Sequence, residues 1–207
     1  MNDSILLIIF IFCGFLFGSV LFSKIFFKIA TDKDICIESA DHNPGAYNVF
    51  ASCGIMIGLL ALFCDMLKGF LPVFIARRYI GTESLLFALV MLAPVLGHAI
   101  GIFDRFQGGK CIATTFGVQL AMLAVNWSVV LLAGLYILFS TLIPVRTHRI
   151  RSIVTFALFG SLSAGTLAVL GQYPAALGNL LISAAVISKH MKRENTIKHK
   201  QFSNENA

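Results

Sequence analysis

With 57% hydrophobic and only 13% charged residues in 207, and a mean hydropathy of +0.85, the chain is not composed like a soluble domain, which carries about twice that charged share. The formal net charge of +6 needs no nucleic acid to account for it, because basic loops facing anionic lipid headgroups suffice. Cys13, Cys36, Cys53, Cys64 and Cys111 lack metal-type spacing, which argues against a zinc site or a disulfide framework.

Segments of about 20 apolar residues are long enough to cross a bilayer core. The first runs over 4–23. Met1-Asn2-Asp3 supplies no basic residue ahead of it and no small-residue cleavage site follows, so it reads as a retained span rather than a signal peptide. Further spans are expected at 50–76, 83–102, 112–125, 128–144, 152–170 and 174–188. The fourth and seventh are short, which fits tilted, re-entrant or protein-buried segments. Dividing 112–144 rests on Asn126-Trp127 as an interfacial turn. The expected fold class is an all-α polytopic membrane protein with about seven transmembrane or partly re-entrant helices. A helical membrane domain covers 1–188 and a polar tail 189–207.

Basic residues set the orientation. Lys24, Lys28 and Lys33, then Arg105 and Lys110, then Arg146, Arg149 and Arg151, then Lys189, Lys192, Arg193, Lys198 and Lys200 fall on one side of this arrangement. That side is read as cytoplasmic, with the N-terminus outside and the C-terminus inside. A multi-pass membrane protein with its site on the cytoplasmic side is thus expected.

Polar stretches at 34–48, 104–114, 146–152 and 189–200 map to that face. Leu96-Gly97-His98 ends one apolar segment, and Gly108-Gly109-Lys110 turns the chain into the next. A Gly-Gly pair frees backbone N–H groups to face an anion, and the neighbouring lysine adds a full charge. A plain basic inter-helix loop is the alternative. In the first loop, Asn43-Pro44-Gly45 is turn chemistry. Asn43 and Asn48 are placed to donate to a phosphate or a glycerol hydroxyl, with helix capping by Asn43 equally open. Asp65 and Lys68 lie in an apolar span, where charge is costly unless paired or facing a polar cavity. Their i, i+3 spacing allows an ion pair, and a direct substrate role for Lys68 stands beside it. His98 is either an interfacial, hydrogen-bonded histidine or a site residue.

Together these residues resemble the bacterial acylphosphate:glycerol-3-phosphate acyltransferases (PlsY). The first-loop pattern Gly-Ser-Gly-Asn-x-Gly-Ala-Thr-Asn aligns with Ala40-Asp41-His42-Asn43-Pro44-Gly45-Ala46-Tyr47-Asn48. Asp-x-x-Lys-Gly-x-x-Pro is complete at Asp65 to Pro72. Leu-Gly-His follows at Leu96 to His98. Gly-Gly-Lys-Gly-x-Ala-Thr follows at Gly108 to Thr114, with Cys111 for the last glycine. Arg-x-x-Ser matches Arg149 to Ser152, and the tail His-x-x-Asn aligns with Lys192 to Asn195.

The resemblance implies transfer of a fatty acyl group from acyl phosphate to the 1-hydroxyl of glycerol 3-phosphate, giving lysophosphatidate for phospholipid synthesis. It implies no metal and no cofactor; the partners are the two substrates and membrane lipids, with no nucleic acid. Lys110 and Asn195 would be catalytic. Asp41, His42, Asn43, Gly45, Asn48, Lys68, His98, Gly108, Gly109, Thr114, Arg149, Ser152 and Lys192 would line the phosphate and substrate site.

The chain departs from the pattern where phosphate is expected. Asp41 replaces a serine, Cys36 and Ala51 replace arginines, and Lys192 replaces the tail histidine. Each lost bond to a charged group costs about 1.5–3 kcal/mol, so two or three losses weaken phosphate binding by roughly two to six powers of ten unless compensated. His42 and Lys192 are candidate compensators. A divergent paralogue with another acyl acceptor, or a non-catalytic lipid-binding or regulatory protein, therefore stays open. A transporter is disfavoured, since no internal repeat is visible.

Overall fold

A computed structural model describes the backbone of residues 2–205 and the side chains of residues 2–191. It is all-helical. Helix α1 (Asp3–Gly18) breaks at Ser19-Val20-Leu21 before α2 (Phe22–Thr31), so the first expected span is interrupted near its end. The short α3 (Ile35–Glu38) and α4 (Ala46–Cys53) carry the first loop. Gly54, at φ 82°, joins α4 to α5 (Ile55–Ile80). Then come α6 (Leu86–Ile100), α7 (Ile112–Ala121) and α8 (Ser128–Ile137), which runs on as a π-helical stretch, Leu138–Leu142. Last are α9 (His148–Val169) and α10 (Tyr173–Glu205).

Among the described residues, Asp3–Thr31, Ile55–Ile80, Leu86–Asp104 and His148–Val169 are long and apolar enough to cross a membrane, whereas Ile112–Ala121 and Ser128–Leu142 are shorter. The expected division of 112–144 is present, with turn residues between α7 and α8. Helix α10 continues unbroken past residue 188, so the last apolar segment and the polar tail share one axis.

Helix α6 is the hub: Phe87, Val90, Met91 and Val95 are fully buried, in a core shared with Val73, Val118, Phe156, Phe159 and Ile182. Ile55, Met56, Leu59 and Phe63 are exposed on α5, as side chains facing lipid would be. Close helix approach uses small residues, as is usual between helices in membranes. A Cβ on Gly69 would strike the Thr114 carbonyl and one on Gly117 the Met66 carbonyl, which brings α7 directly onto α5. Buried amides act as polar fasteners far from the loops: Gln119 Nε2 donates to Asn179 Oδ1 at 2.9 Å, and Asn179 Nδ2 to Ser128 Oγ at 3.2 Å. They join α7, α8 and α10.

Candidate functional site

The first loop and the Gly-Gly-Lys loop meet at one ion pair. Lys110 Nζ lies 2.6 Å from Asp41 Oδ2. The other carboxylate oxygen accepts from Asn48 Nδ2 at 2.7 Å and from the Asn43 N–H at 3.2 Å. Asn48 also donates to the Asn43 carbonyl at 2.8 Å. The N-cap of α4 is Gly45 without a side-chain cap, so Asn43 does not take the capping role. Asp41, which stands where the family pattern has a serine, is thus the counter-ion of Lys110. His42, at φ 49°, turns its Nδ1 to the Cys36 carbonyl at 2.7 Å. It therefore braces its own loop.

The bases of these loops are also tied. Lys24 bridges Asp34 at 3.0 Å and Asp104 at 2.6 Å. Partial burial works to raise the Asp34 carboxyl, but the Cys36 N–H and Lys24 outweigh it and hold its pKa below the ordinary value.

The glycine pair works differently from the expectation of amides turned to an anion. Gly109 N–H donates to the His98 carbonyl at 2.9 Å and Gly108 N–H to the Ile100 carbonyl at 3.2 Å. Between them, Lys189 Nζ donates to the Ala99 carbonyl at 2.7 Å. Three carbonyls that the end of α6 leaves open are thereby satisfied. The absence of side chains is what permits it: a Cβ on Gly108 would strike the Ala99 and His98 carbonyls, and one on Gly109 the His98 ring. Gly108 and Gly109 thus press the loop onto α6 and present Lys110. Their amides are already committed.

Cys111 follows at φ 66°, a left-handed conformation that costs an ordinary residue roughly 1–2 kcal/mol. It is buried, with Sγ near the Val95 carbonyl at 3.4 Å. Cys111→Gly is expected to raise the thermal midpoint in detergent, and Cys111→Val to lower it, because a β-branched side chain fits positive φ worst. A glycine variant less stable than the parent would show that the buried thiol outweighs the backbone.

Beneath the loop lies a buried polar ladder. Lys68 Nζ is 2.8 Å from Asp65 Oδ1 and donates to the Val20 carbonyl at 2.5 Å. Ser23 Oγ donates to Asp65 Oδ2 at 2.5 Å, and His98 Nδ1 stands 3.9 Å from Asp65 Oδ1. Lys68 is 0% exposed. In this conformation Lys68 is engaged inside the bundle: its ammonium pairs with Asp65 and satisfies the carbonyl left open where α1 breaks. His98 connects this ladder to the back of Gly109.

Thr114 and Ser152 are also fully enclosed. Ser152 Oγ donates to the His148 carbonyl at 3.0 Å and accepts from the Tyr136 hydroxyl at 3.4 Å, so it fastens α9 to α8. Neither hydroxyl lines the loop site in this conformation. Arg149 Nε donates to the His190 carbonyl at 3.1 Å, linking α9 to α10 beside the loops. Lys192 and Asn195 lie outside the described side chains.

Sequence reasoning missed Lys189 and the stacked pair His148–His190, whose ring centroids are 6.3 Å apart. Their signal was position: His148 opens α9, and Lys189 and His190 follow directly on the apolar part of α10. Burial pushes His190 down to a pKa of about 4; its Nδ1–H bond to the Val186 carbonyl opposes this, and nearby Lys110 reinforces it. His190 is therefore neutral at pH 7.

Apolar helices with short polar loops gathered around one lysine–carboxylate pair define a polytopic membrane protein with a loop-built polar site at one end. Comparison with known proteins makes this specific. The model of the family described as glycerol-3-phosphate acyltransferase matches residues 8–200, and the chain belongs to that family. A glycerol-3-phosphate acyltransferase of Hydrogenobaculum sp. (strain Y04AAS1) is 43% identical over 51% of this chain, which spans about half (53%) of that relative's length. Among solved structures, PlsY (YgiH), an integral membrane glycerol 3-phosphate acyltransferase, is similar in its glycerol 3-phosphate form. The identity is 27% and the TM-score 0.77, covering 94% of this chain and 92% of that one. Its lysophosphatidic acid form matches over the same shares with a TM-score of 0.71.

Proposed function

We propose that the protein transfers a fatty acyl group from acyl phosphate to the 1-hydroxyl of glycerol 3-phosphate, releasing lysophosphatidate and inorganic phosphate. The observation that carries this is the match, over 94% of the chain, to an enzyme solved with glycerol 3-phosphate and with lysophosphatidic acid. The ordered loop pair Asp41–Asn48 and Gly108–Lys110 supports it. In the reaction, the acceptor oxygen bonds to the acyl carbonyl carbon and the carbonyl carbon–phosphate oxygen bond breaks. The hydroxyl proton leaves with the departing phosphate. Acyl phosphate is already activated, so the protein's part is to position both substrates and stabilise charge. Lys110 holds the phosphoryl charge, Asn43 and Asn48 shape the opposing wall, and Arg149 approaches from the α9 side.

The decisive assay combines purified protein with palmitoyl phosphate and labelled glycerol 3-phosphate. Labelled lysophosphatidate is expected; its absence under conditions that preserve the fold would overturn the activity.

This reading places the loops at the cytoplasmic face of a bacterial inner membrane, the N-terminus outside. In a cysteine-free background, Gln107→Cys and Asn195→Cys should resist an impermeant maleimide on intact cells, while Thr82→Cys should react. Labelling at 107 or 195 would reverse the orientation.

A further inference from the structure

The Asp41 carboxylate has the surroundings of a bound anion. Its oxygens are held by Lys110, by the Asn48 amide and by the Asn43 N–H. Lys110 is the side chain to which the proposed function gives substrate phosphate, and Asn48 belongs to the wall facing it. The carboxylate comes from the same loop as Asn43 and Asn48, on a tether of a few residues, so its effective concentration at Lys110 is high. The pair is within reach of an incoming ligand: the Asp41 side chain is 40% exposed and that of Lys110 17%. A phosphate cannot share these donors with a carboxylate without like-charge repulsion.

We infer that Asp41 is a tethered competitor for the phosphate of the acyl acceptor, an internal anion that substrate must displace from Lys110 and Asn48 before it binds. The inference rests on the proposed function for the identity of the substrate. Its physical content, competition between a carboxylate and a phosphate for Lys110, can be tested separately. Asp41 then sets specificity. It filters out weakly held anions and makes occupancy depend on a high acceptor concentration, while leaving the lysine in place for catalysis. The penalty falls on KM for glycerol 3-phosphate rather than on kcat, because once the carboxylate has swung away it no longer touches the bound acceptor.

The test uses the full-length protein in one detergent, with inorganic phosphate as the probe and affinity read by calorimetry. Asp41→Ser and Asp41→Asn both remove the charge, and Asn preserves the shape. Thermal unfolding checks that each variant is folded. Both should bind inorganic phosphate at least tenfold more tightly than the parent, and the gain should vanish when either is combined with Lys110→Ala. Unchanged or weaker binding in the folded variants, or a gain that survives loss of Lys110, overturns the inference. Turnover of labelled glycerol 3-phosphate, measured in parallel, reports on the function itself. Active enzyme with the same KM in parent and Asp41 variants sinks the competitor and keeps the acyltransferase. Tighter phosphate binding with no turnover keeps the competitor and sinks the acyltransferase.

Discussion

Alanine at position 110 is expected to lower kcat/KM for glycerol 3-phosphate by about 10²–10³-fold, the loss typical of removing one preorganised donor from a site of developing charge. Lys110 is delivered by a loop whose glycines are pressed onto the end of α6 and whose amides are occupied by that helix's carbonyls. The Lys110 side chain is therefore the part of the loop not tied to α6. The fold should hardly notice the change. The pair with Asp41 is partly exposed, and such pairs contribute about 0–1 kcal/mol. Lys110→Arg should restore little, because a planar, longer guanidinium replaces a compact ammonium. Initial rates with palmitoyl phosphate and labelled acceptor in matched detergent decide it. An alanine variant with undiminished turnover removes Lys110 from the site.

The apolar segments were legible because membrane depth demands long apolar helices; among the described residues four helices are long and apolar enough to cross, while Ile112–Ala121 and Ser128–Leu142 are shorter. The break after Gly18 was not legible. Val20, Leu21 and Phe22 continue the apolar run, and what makes the break tolerable is Lys68, brought in from another helix. The family pattern located Lys110, Asp41, Asn43 and Asn48, which do converge. It did not distinguish hydroxyls that face a site from those enclosed among helices, as Thr114 and Ser152 show, because side-chain direction is a property of packing. Nor did it show where the Gly108 and Gly109 amides point, since that depends on the carbonyls left open at the end of α6.

Asp65→Ala should have the largest effect on stability, about 3–5 kcal/mol, because it strands the buried Lys68 ammonium without its counter-ion. Lys68→Met strands the Asp65 carboxylate and also the Val20 carbonyl, so it too should be severe. The double variant Asp65→Leu/Lys68→Met separates an ion pair kept for its own energy from one kept for the broken helix. Replacing a whole buried pair by apolar residues is often neutral. Here the Val20 carbonyl would still lack a donor, at a cost of about 1–3 kcal/mol. The double variant should therefore be more stable than either single variant and still less stable than the parent. Thermal unfolding of all four proteins in the same detergent gives the comparison. If the double variant matches the parent, the Val20 carbonyl has found another partner, and Lys68 is not what holds the α1–α2 break in place. If its loss equals the sum of the single losses, Asp65 and Lys68 are not acting as a pair.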